Sequence, residues 1–439
     1  MLKRNIPSDR QTPARLPALL LLALYPCLGF TETTPAQPAT TASRSNKQAN
    51  KEAMAQLPEG RYEIMTDKLF GVSDTHITDK LSFPELSTWE RRMSRGFGFD
   101  YAFVNAPIFQ AGSESGDAYA DNEMDLYLRW RVGTGDKSSG TIFFWGTWVQ
   151  TFSSQPNGEF SESQGLITTT ISAGTDPKKS FTAPSALWWQ QSFDKSGFLY
   201  RTGQLYATSL WGNNLYTFDD REGFMNSVLS NNVGLPWADT PRGLGGMAQQ
   251  TIGNIYIAAG IQDANGKQDQ IDVDSFTDGN FLYAGEIGYN SNINGANEGR
   301  YKLALGYVDK TKDPNSSEED SGWGLALSIR QEINEQMGLF AQYRRTFDGR
   351  VALGIKTAAN AGIVFNQPGG FRDDALGIGL LYAAPSNPDD DSEYGAEVYW
   401  RLQLTPRLDI TPDLQLYKPG QANTSGVVAI GSLRFRYVL

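Results

Sequence analysis

The last fourteen residues of the chain, 426–439, alternate large apolar side chains (Leu433, Phe435, Tyr437, Leu439) with Ser432, Arg434, Arg436 and Val438. A period of two puts the apolar set on one face of a strand and both arginines on the other. A soluble core would have to bury that second face, and an unpaired buried charge is expensive. A wall with hydrocarbon on one side and water on the other accepts both faces as they are. The strand therefore favours a membrane-spanning sheet over a packed soluble one.

The same two-faced logic recurs upstream. In 124–133, Met124, Leu126, Leu128, Trp130 and Val132 oppose Asp125, Tyr127, Arg129 and Arg131. In 393–404, Tyr394, Ala396, Val398, Trp400, Leu402 and Leu404 oppose Glu393, Glu397, Tyr399, Arg401 and Gln403. In 408–417, Leu408, Ile410, Leu414 and Leu416 oppose Asp409, Thr411, Asp413 and Gln415. Sixteen such runs are predicted: 97–104, 124–133, 141–152, 186–193, 197–206, 243–250, 254–261, 281–289, 300–308, 322–332, 337–346, 361–366, 374–383, 393–404, 408–417 and 426–439. The connectors largely alternate in length, with 194–196, 251–253, 334–336 and 405–407 short. The long set is 105–123, 153–185, 207–242, 262–280 and 309–321, and 351–356 is read as loop. Even strand number, short turns at one end and long loops at the other define a transmembrane antiparallel β-barrel, all-β, wide enough at this strand count to hold water.

Composition supports that class and removes others. Past the N-terminus no segment reaches the roughly eighteen consecutive apolar residues of a spanning helix. Forty-five glycines, nineteen tyrosines, ten tryptophans and twenty-three phenylalanines suit tight turns, half-buried strands and interfacial girdles. A net charge of −11 lacks the basic footprint of a nucleic-acid binder. Residues 1–30 carry Lys3, Arg4, Arg10 and Arg15 ahead of a short apolar run and read as a secretory signal peptide. Residues 31–96 read as a disordered periplasmic leader with a short helix at 86–95, and 97–439 as the barrel. The one cysteine, Cys27, falls inside the signal segment, so the mature chain offers neither disulfide nor thiol.

Few residues can carry chemistry. The one histidine, His76, precedes the barrel, and a single histidine cannot build a His-based zinc cluster. The segment 263–267 (DANGK) lacks the spacing of a calcium loop. No catalytic residue, metal or cofactor is expected. Inward residues by strand alternation are Arg129, Arg131, Glu286, Arg344, Glu397, Arg401, Arg434 and Arg436. The longest connector, 207–242, is rich in aromatics, amides and charges, and a segment of that kind gains packing surface by folding into the barrel. Trp211, Asp220, Arg221 and Trp237 are its candidate constriction residues: aromatic faces suit the C–H faces of a sugar, while arginine and carboxylate bond its hydroxyls.

With those residues in view, the chain resembles the carbohydrate-selective porins of the OprB type. The resemblance rests on Gly203, Gln204 and the region 213–219, on 224–229 (FMNSVL), 259–266 (AGIQDANG) and 281–289 (FLYAGEIGY), and on 397–417 (EVYWRLQLTPRLDITPDLQLY) ahead of Leu433 and Arg434. It covers the chain from about Trp89 to the end. The family's Gly-Asp-Trp-rich opening is reduced here to Ser87, Thr88, Trp89, Glu90 and Arg91, and Leu439 stands where an aromatic is common. The resemblance implies a sixteen-stranded outer-membrane diffusion channel for monosaccharides and similar small solutes, with arginines in the pore, in a Gram-negative bacterium. Expected partners are small sugars, outer-membrane lipid and, through the C-terminal strand, the barrel-assembly machinery; oligomerisation stays open. The rival readings are a less selective channel, a barrel-embedded hydrolase that would have to use His76, and a soluble glycan-binding β protein.

Overall fold

The computed structural model describes residues 99–438 apart from 136–137, 172–181, 194–195, 218–219, 239–241, 268–269, 294–296, 313–317, 335, 370–373, 406, 423 and 425. The signal segment with Cys27, the leader with His76 and the helix expected at 86–95, and Leu439 lie outside the described residues. Eight barrel strands form the first half: β1 (Phe99–Gly112), β2 (Ala118–Gly135), β3 (Ser138–Thr151), β4 (Thr182–Phe193), β5 (Phe198–Leu205), β6 (Gly243–Ile252), β7 (Ile255–Asp263) and β8 (Phe281–Ile293). Eight more complete it: β9 (Asn297–Val308), β10 (Gly322–Asn334), β11 (Met337–Gly349), β12 (Ile355–Asn366), β13 (Ala375–Pro385), β14 (Glu393–Thr405), β15 (Leu408–Lys418) and β16 (Val428–Val438). Each pairs antiparallel with its sequence neighbours, and β1 closes the barrel on β16 through registers such as Val104↔Val438 and Ile108↔Arg434. Closure leaves no sheet edge unpaired, which is what hydrocarbon demands of a sheet.

All sixteen predicted runs are strands, and the differences lie in their lengths. The expected long loop at 105–123 shrinks to 113–117, because β1 runs on to Gly112 and β2 begins at Ala118. Here Ala106, Pro107, Ala111, Ala118 and Ala120 blur the contrast between faces on which the alternation argument depends. The predicted strand at 361–366 starts earlier, at Ile355, for the same reason: Ala358, Ala359 and Ala361 carry no two-faced signal.

Exposure alternates as a lipid-bathed barrel requires. Outward side chains such as Ile257, Ile287, Leu305, Leu327, Leu380, Leu414 and Leu416 are exposed, while the inward set is buried. Exposed aromatics gather in two belts. Tyr101, Trp130, Phe193, Tyr200 and Trp400 sit toward the short-turn end, and Tyr283, Trp323, Phe347 and Tyr394 toward the long-loop end. The packed core of this protein lies inside the barrel. One cluster joins inward Tyr127, Phe143, Trp145 and Trp188 to Leu210, Trp211, Leu235 and Trp237; the other joins Ile108, Phe340, Val364 and Tyr399 to Phe160, Phe224, Val228 and Leu229. In both, the second group comes from loops: the β3–β4 connector with helix α1 (Asn157–Ser163), and the β5–β6 connector.

Candidate functional site

The β5–β6 connector, residues 206–242, contains two single-turn helices, α2 (Ala207–Leu210) and α3 (Ser227–Ser230). Its bonds go to strands on opposite sides of the barrel. Arg221 pairs with Glu123 on β2, while the Tyr216 hydroxyl donates to Glu332 on β10 at 2.6 Å, eight positions away round a ring of sixteen. A segment can meet inward faces of diametrically opposed strands only by lying within the lumen. Why this sequence goes in is legible in its sockets. Trp237 lies against Gly306 and Gly324, where an added Cβ would come within 2.6 and 3.1 Å of its ring, so only glycine at those wall positions admits the indole. Gly260 does the same for Trp211.

The irregular backbone of this connector has peptide groups that no ladder satisfies, and buried peptide groups must find partners. The wall supplies charged ones. Arg434 on β16 donates to the carbonyls of Asp220 and Gly223, the latter at 3.0 Å. Arg401 on β14 donates to the Glu222 carbonyl at 3.0 Å. Arg344 on β11 donates to the carbonyls of Val228 and Asn231, closing the C-terminal end of α3. Glu397 on β14 has the opposite polarity: its two carboxylate oxygens accept from the backbone N–H groups of Met225 and Asn226. Glu286 on β8 accepts from Gly212 N–H at 2.8 Å and from the Tyr256 hydroxyl, with Lys302 at 3.8 Å.

For Arg344, Arg434 and Glu397 this corrects the expectation of a water-facing side chain. Each is 0 % exposed, because the connector covers the wall at that point. Trp211 and Trp237 are likewise packed against the wall, with Trp237 0 % exposed, so their ring faces are spent on packing. Asp220 and Arg221 are buried, Arg129 and Arg131 are half-buried on β2, and Arg401 and Arg436 meet at Glu222, whose carboxylate is 2.7 Å from the Arg436 Nη1 and 3.8 Å from Arg401. Arg436 also lies 3.3 Å from Asp409.

Two groupings escaped sequence reasoning. The first surrounds Arg221, which bonds both Glu123 and Asp125; Asp125 in turn accepts from Trp145 Nε1 at 2.6 Å and Thr147 Oγ1 at 2.7 Å. The Arg242 guanidinium stands 4.5 Å from the Tyr206 ring and 5.4 Å from Trp145. Burial pulls this guanidinium below its usual range, while the Tyr206 hydroxyl, Glu123 and Asp125 pull the other way. Burial, with Glu332 beside it, holds the Tyr216 hydroxyl well above the usual phenol range, so it stays a donor. Glu123 was hidden by the mistaken loop at 105–123, although its spacing of two from Asp125 carries the signal.

The second grouping lies within four residues of the short-turn end of its strands. Besides Arg131, Arg401 and Arg436 it contains Arg201 on β5, Arg300 on β9 and Arg330 on β10. Arg201 stacks on Trp188 at 3.9 Å and donates to Gln190 at 2.8 Å; Arg330 lies 3.9 Å from Glu332. Period two within predicted strands marks Arg300 and Arg330 as inward too, beside Lys302 and Ser328, which bond connector residues Asn213 and Asn214. Guanidiniums, carboxylates and ring faces in one enclosed space can orient a polyol or an anion by hydrogen bonding.

Comparisons with known proteins fit this architecture. Residues 157–439 match the family model described as carbohydrate-selective porin, OprB family. The high-pH structure of Pseudomonas putida OprB superposes with a TM-score of 0.66 at 13% identity, covering 80% of this chain and 96% of that one. Its low-pH structure gives 0.51 at 11% identity over 82% and 98%, and the anion-selective porin from Comamonas acidovorans gives 0.50 at 11% over 78% and 99%. No curated protein matches the sequence. At these identities the structural likenesses establish the fold, while the family model spans well over half of the chain. A closed sixteen-stranded barrel with porin neighbours and a family match over most of that barrel leads to one assignment: the chain belongs to the carbohydrate-selective porin, OprB family.

Proposed function

We propose that this outer-membrane porin gives passive, carbohydrate-selective diffusion of small hydrophilic solutes through a water-filled passage narrowed by the 206–242 connector and flanked by arginines. The observation that carries the reading is the connector itself, folded inside the barrel and bonded to opposite walls through Arg221–Glu123 and Tyr216–Glu332. A segment held across the lumen reduces its width and presents fixed donors and acceptors to whatever passes. The arginines toward the short-turn end, with Glu222, Asp409 and Glu332 among them, offer paired donors and acceptors of the kind that sugar hydroxyls use. Shedding hydration costs a charged solute more than a neutral polyol, whose hydroxyls exchange water for the paired donors and acceptors of the lining. Transport needs no covalent step.

Liposome swelling tests this. Proteoliposomes are expected to swell faster in glucose than in an equal-sized zwitterionic or charged amino acid, and faster in glucose than in a disaccharide. Equal rates for glucose and the amino acid would remove the sugar preference and leave a general porin.

A further inference from the structure

Among the described residues of the barrel strands, the exposed cations are Arg345, Lys356 and Lys418. All three lie at the long-loop end and all fall in one sector, β11 to β15: Arg345 is four residues from the end of β11, Lys356 is the second residue of β12, and Lys418 is the last of β15. Arg345 and Lys418 point outward, alternating with buried Arg344, Thr346 and Tyr417, and Lys356 is exposed at the bulge that opens β12. Among the described residues none of the three has a carboxylate within ion-pair distance. A cation on the lipid side is costly at mid-membrane and tolerated at the headgroups, and these sit at the level of the loop-end aromatic belt, Arg345 beside Phe347 and Lys418 paired with Tyr394. The chain carries a net −11 and the adjoining β13–β14 loop exposes Asp389 and Asp391, so these three are the exposed basic side chains of an otherwise acidic neighbourhood.

The registers place an aromatic platform between the cations. Arg345 pairs with Thr357, next to Lys356, and Thr357 pairs with Ala384. Two residues along β13, on the same face as Ala384, Tyr382 pairs with Tyr394, and Tyr394 pairs with Lys418. The rings of Tyr382 and Tyr394 are 5.2 Å apart, with the Lys418 ammonium 5.8 Å from the Tyr394 centroid and the Arg345 guanidinium 5.9 Å from Phe347. The result is cation, paired tyrosines, cation along one stripe of the outer face. Strands repeat about every 4.8 Å, so Lys418 stands roughly 14–19 Å from the other two cations, a span that side chains of this length narrow.

From this arrangement we infer that the β11–β15 outer face at the loop end is a docking surface for the phosphorylated disaccharide headgroup of the outer-leaflet glycolipid. Phosphates at the two ends of the disaccharide meet Arg345 with Lys356 on one side and Lys418 on the other, and the sugar rings lie on Tyr382 and Tyr394. The inference rests on the outer-membrane placement and concerns a surface separate from the lumen.

The test uses the protein purified in detergent and native mass spectrometry, with bisphosphorylated lipid A, its enzymatically dephosphorylated form, phosphatidylglycerol and inorganic phosphate as separate probes. Wild type is expected to retain bisphosphorylated lipid A over the dephosphorylated form, with millimolar inorganic phosphate unable to displace it. The triple variant R345Q/K356Q/K418Q is expected to lose that preference, retention falling by about a hundredfold, while its conductance in planar bilayers stays at the wild-type level. Equal retention of the phosphorylated and dephosphorylated lipids by wild type, equal retention of phosphatidylglycerol, or an unaltered triple variant would each overturn the docking surface. A wild type that retains lipid A and conducts no ions would instead fail the porin reading.

Discussion

Two long connectors fold into the same barrel and are held by different chemistry. The β3–β4 connector hangs mainly on neutral amides and hydroxyls. Thr170 Oγ1 donates to Gln110 Oε1 at 2.7 Å, Asn157 Nδ2 donates to Thr170 Oγ1 at 3.1 Å, and Gln415 Nε2 reaches the Thr170 carbonyl at 3.0 Å. Among its described residues the strong charge contact is with Glu393, which accepts from Ile167 N–H at 2.8 Å and from the Thr168 hydroxyl. The β5–β6 connector hangs on Arg344, Arg401, Arg434, Glu397 and Glu286, each of them bonded to its main chain. The first segment lines the wall beside β1, β14 and β15, where its own helix satisfies part of the backbone. The second crosses open lumen in short turns that leave more peptide groups unmet, and charged partners bond such groups about twice as strongly as neutral ones. The two meet where Asn226 Nδ2 donates to the Thr169 carbonyl at 3.1 Å and Ser227 N–H donates to the same carbonyl at 3.0 Å. Asn226 also caps α3, accepting from Val228 N–H at 2.8 Å.

If charged anchors set the position of the crossing segment, removing one acceptor should break the contrast most. Glu397→Gln is the sharpest case, because both carboxylate oxygens accept and a glutamine offers one oxygen and one NH2, setting donor against donor. The loss is about 1.5–3 kcal/mol for a charge-assisted bond, borne by the connector while the barrel ladder is untouched. Single-channel conductance is expected to rise severalfold and disaccharides to enter in swelling assays, with heat-modifiable gel migration retained. Unchanged conductance and size cut-off would show that packing of Trp211 and Trp237, and not Glu397, sets the segment's position.

The barrel was readable from residues because a wall between lipid and water writes its two environments into alternate positions, as in 393–404 and 408–417. Legibility failed where side chains were too small to show a face, at Ala106–Ala111 and Ala358–Ala361. The inward direction of Arg344, Glu397 and Arg434 followed from the same alternation, yet their partners did not. Those partners are main-chain groups of a segment more than a hundred residues away in sequence, and a carbonyl carries no residue identity to read. The sockets under Trp237 were equally silent, since Gly306 and Gly324 look like any strand glycine until the indole is placed over them.

The neutral anchor should matter less to transport. Gln110→Met keeps the volume and deletes an amide whose Oε1 accepts from Thr170 and whose Nε2 donates to Ser432 Oγ at 3.1 Å. A cost of about 1–3 kcal/mol is expected, mostly from the Thr170 and Asn157 groups left without that partner, read as a lower midpoint in urea unfolding of the detergent-solubilised barrel. Sugar flux is expected to stay within about twofold, since RT ln 2 is small beside the anchoring energies at stake. A conductance rise as large as that of Glu397→Gln would erase the distinction between the two connectors.

The smallest effect is assigned to Tyr216→Phe, within the charged connector itself. The hydroxyl makes one bond, to Glu332 at 2.6 Å, and the ring is held independently: it lies 6.2 Å from Phe340 and over Gly338, where any Cβ would collide with the tyrosine. Phenylalanine keeps that packing, and Glu332, one-fifth exposed and 3.9 Å from Arg330, retains a cationic neighbour. Stability is therefore expected to fall by only about 1 kcal/mol, and conductance to remain at the wild-type value. A conductance change here comparable to that of Glu397→Gln would mean that the connector is fixed by its single side-chain bonds across the lumen, and that the main-chain anchors at Arg344, Arg434 and Glu397 only follow.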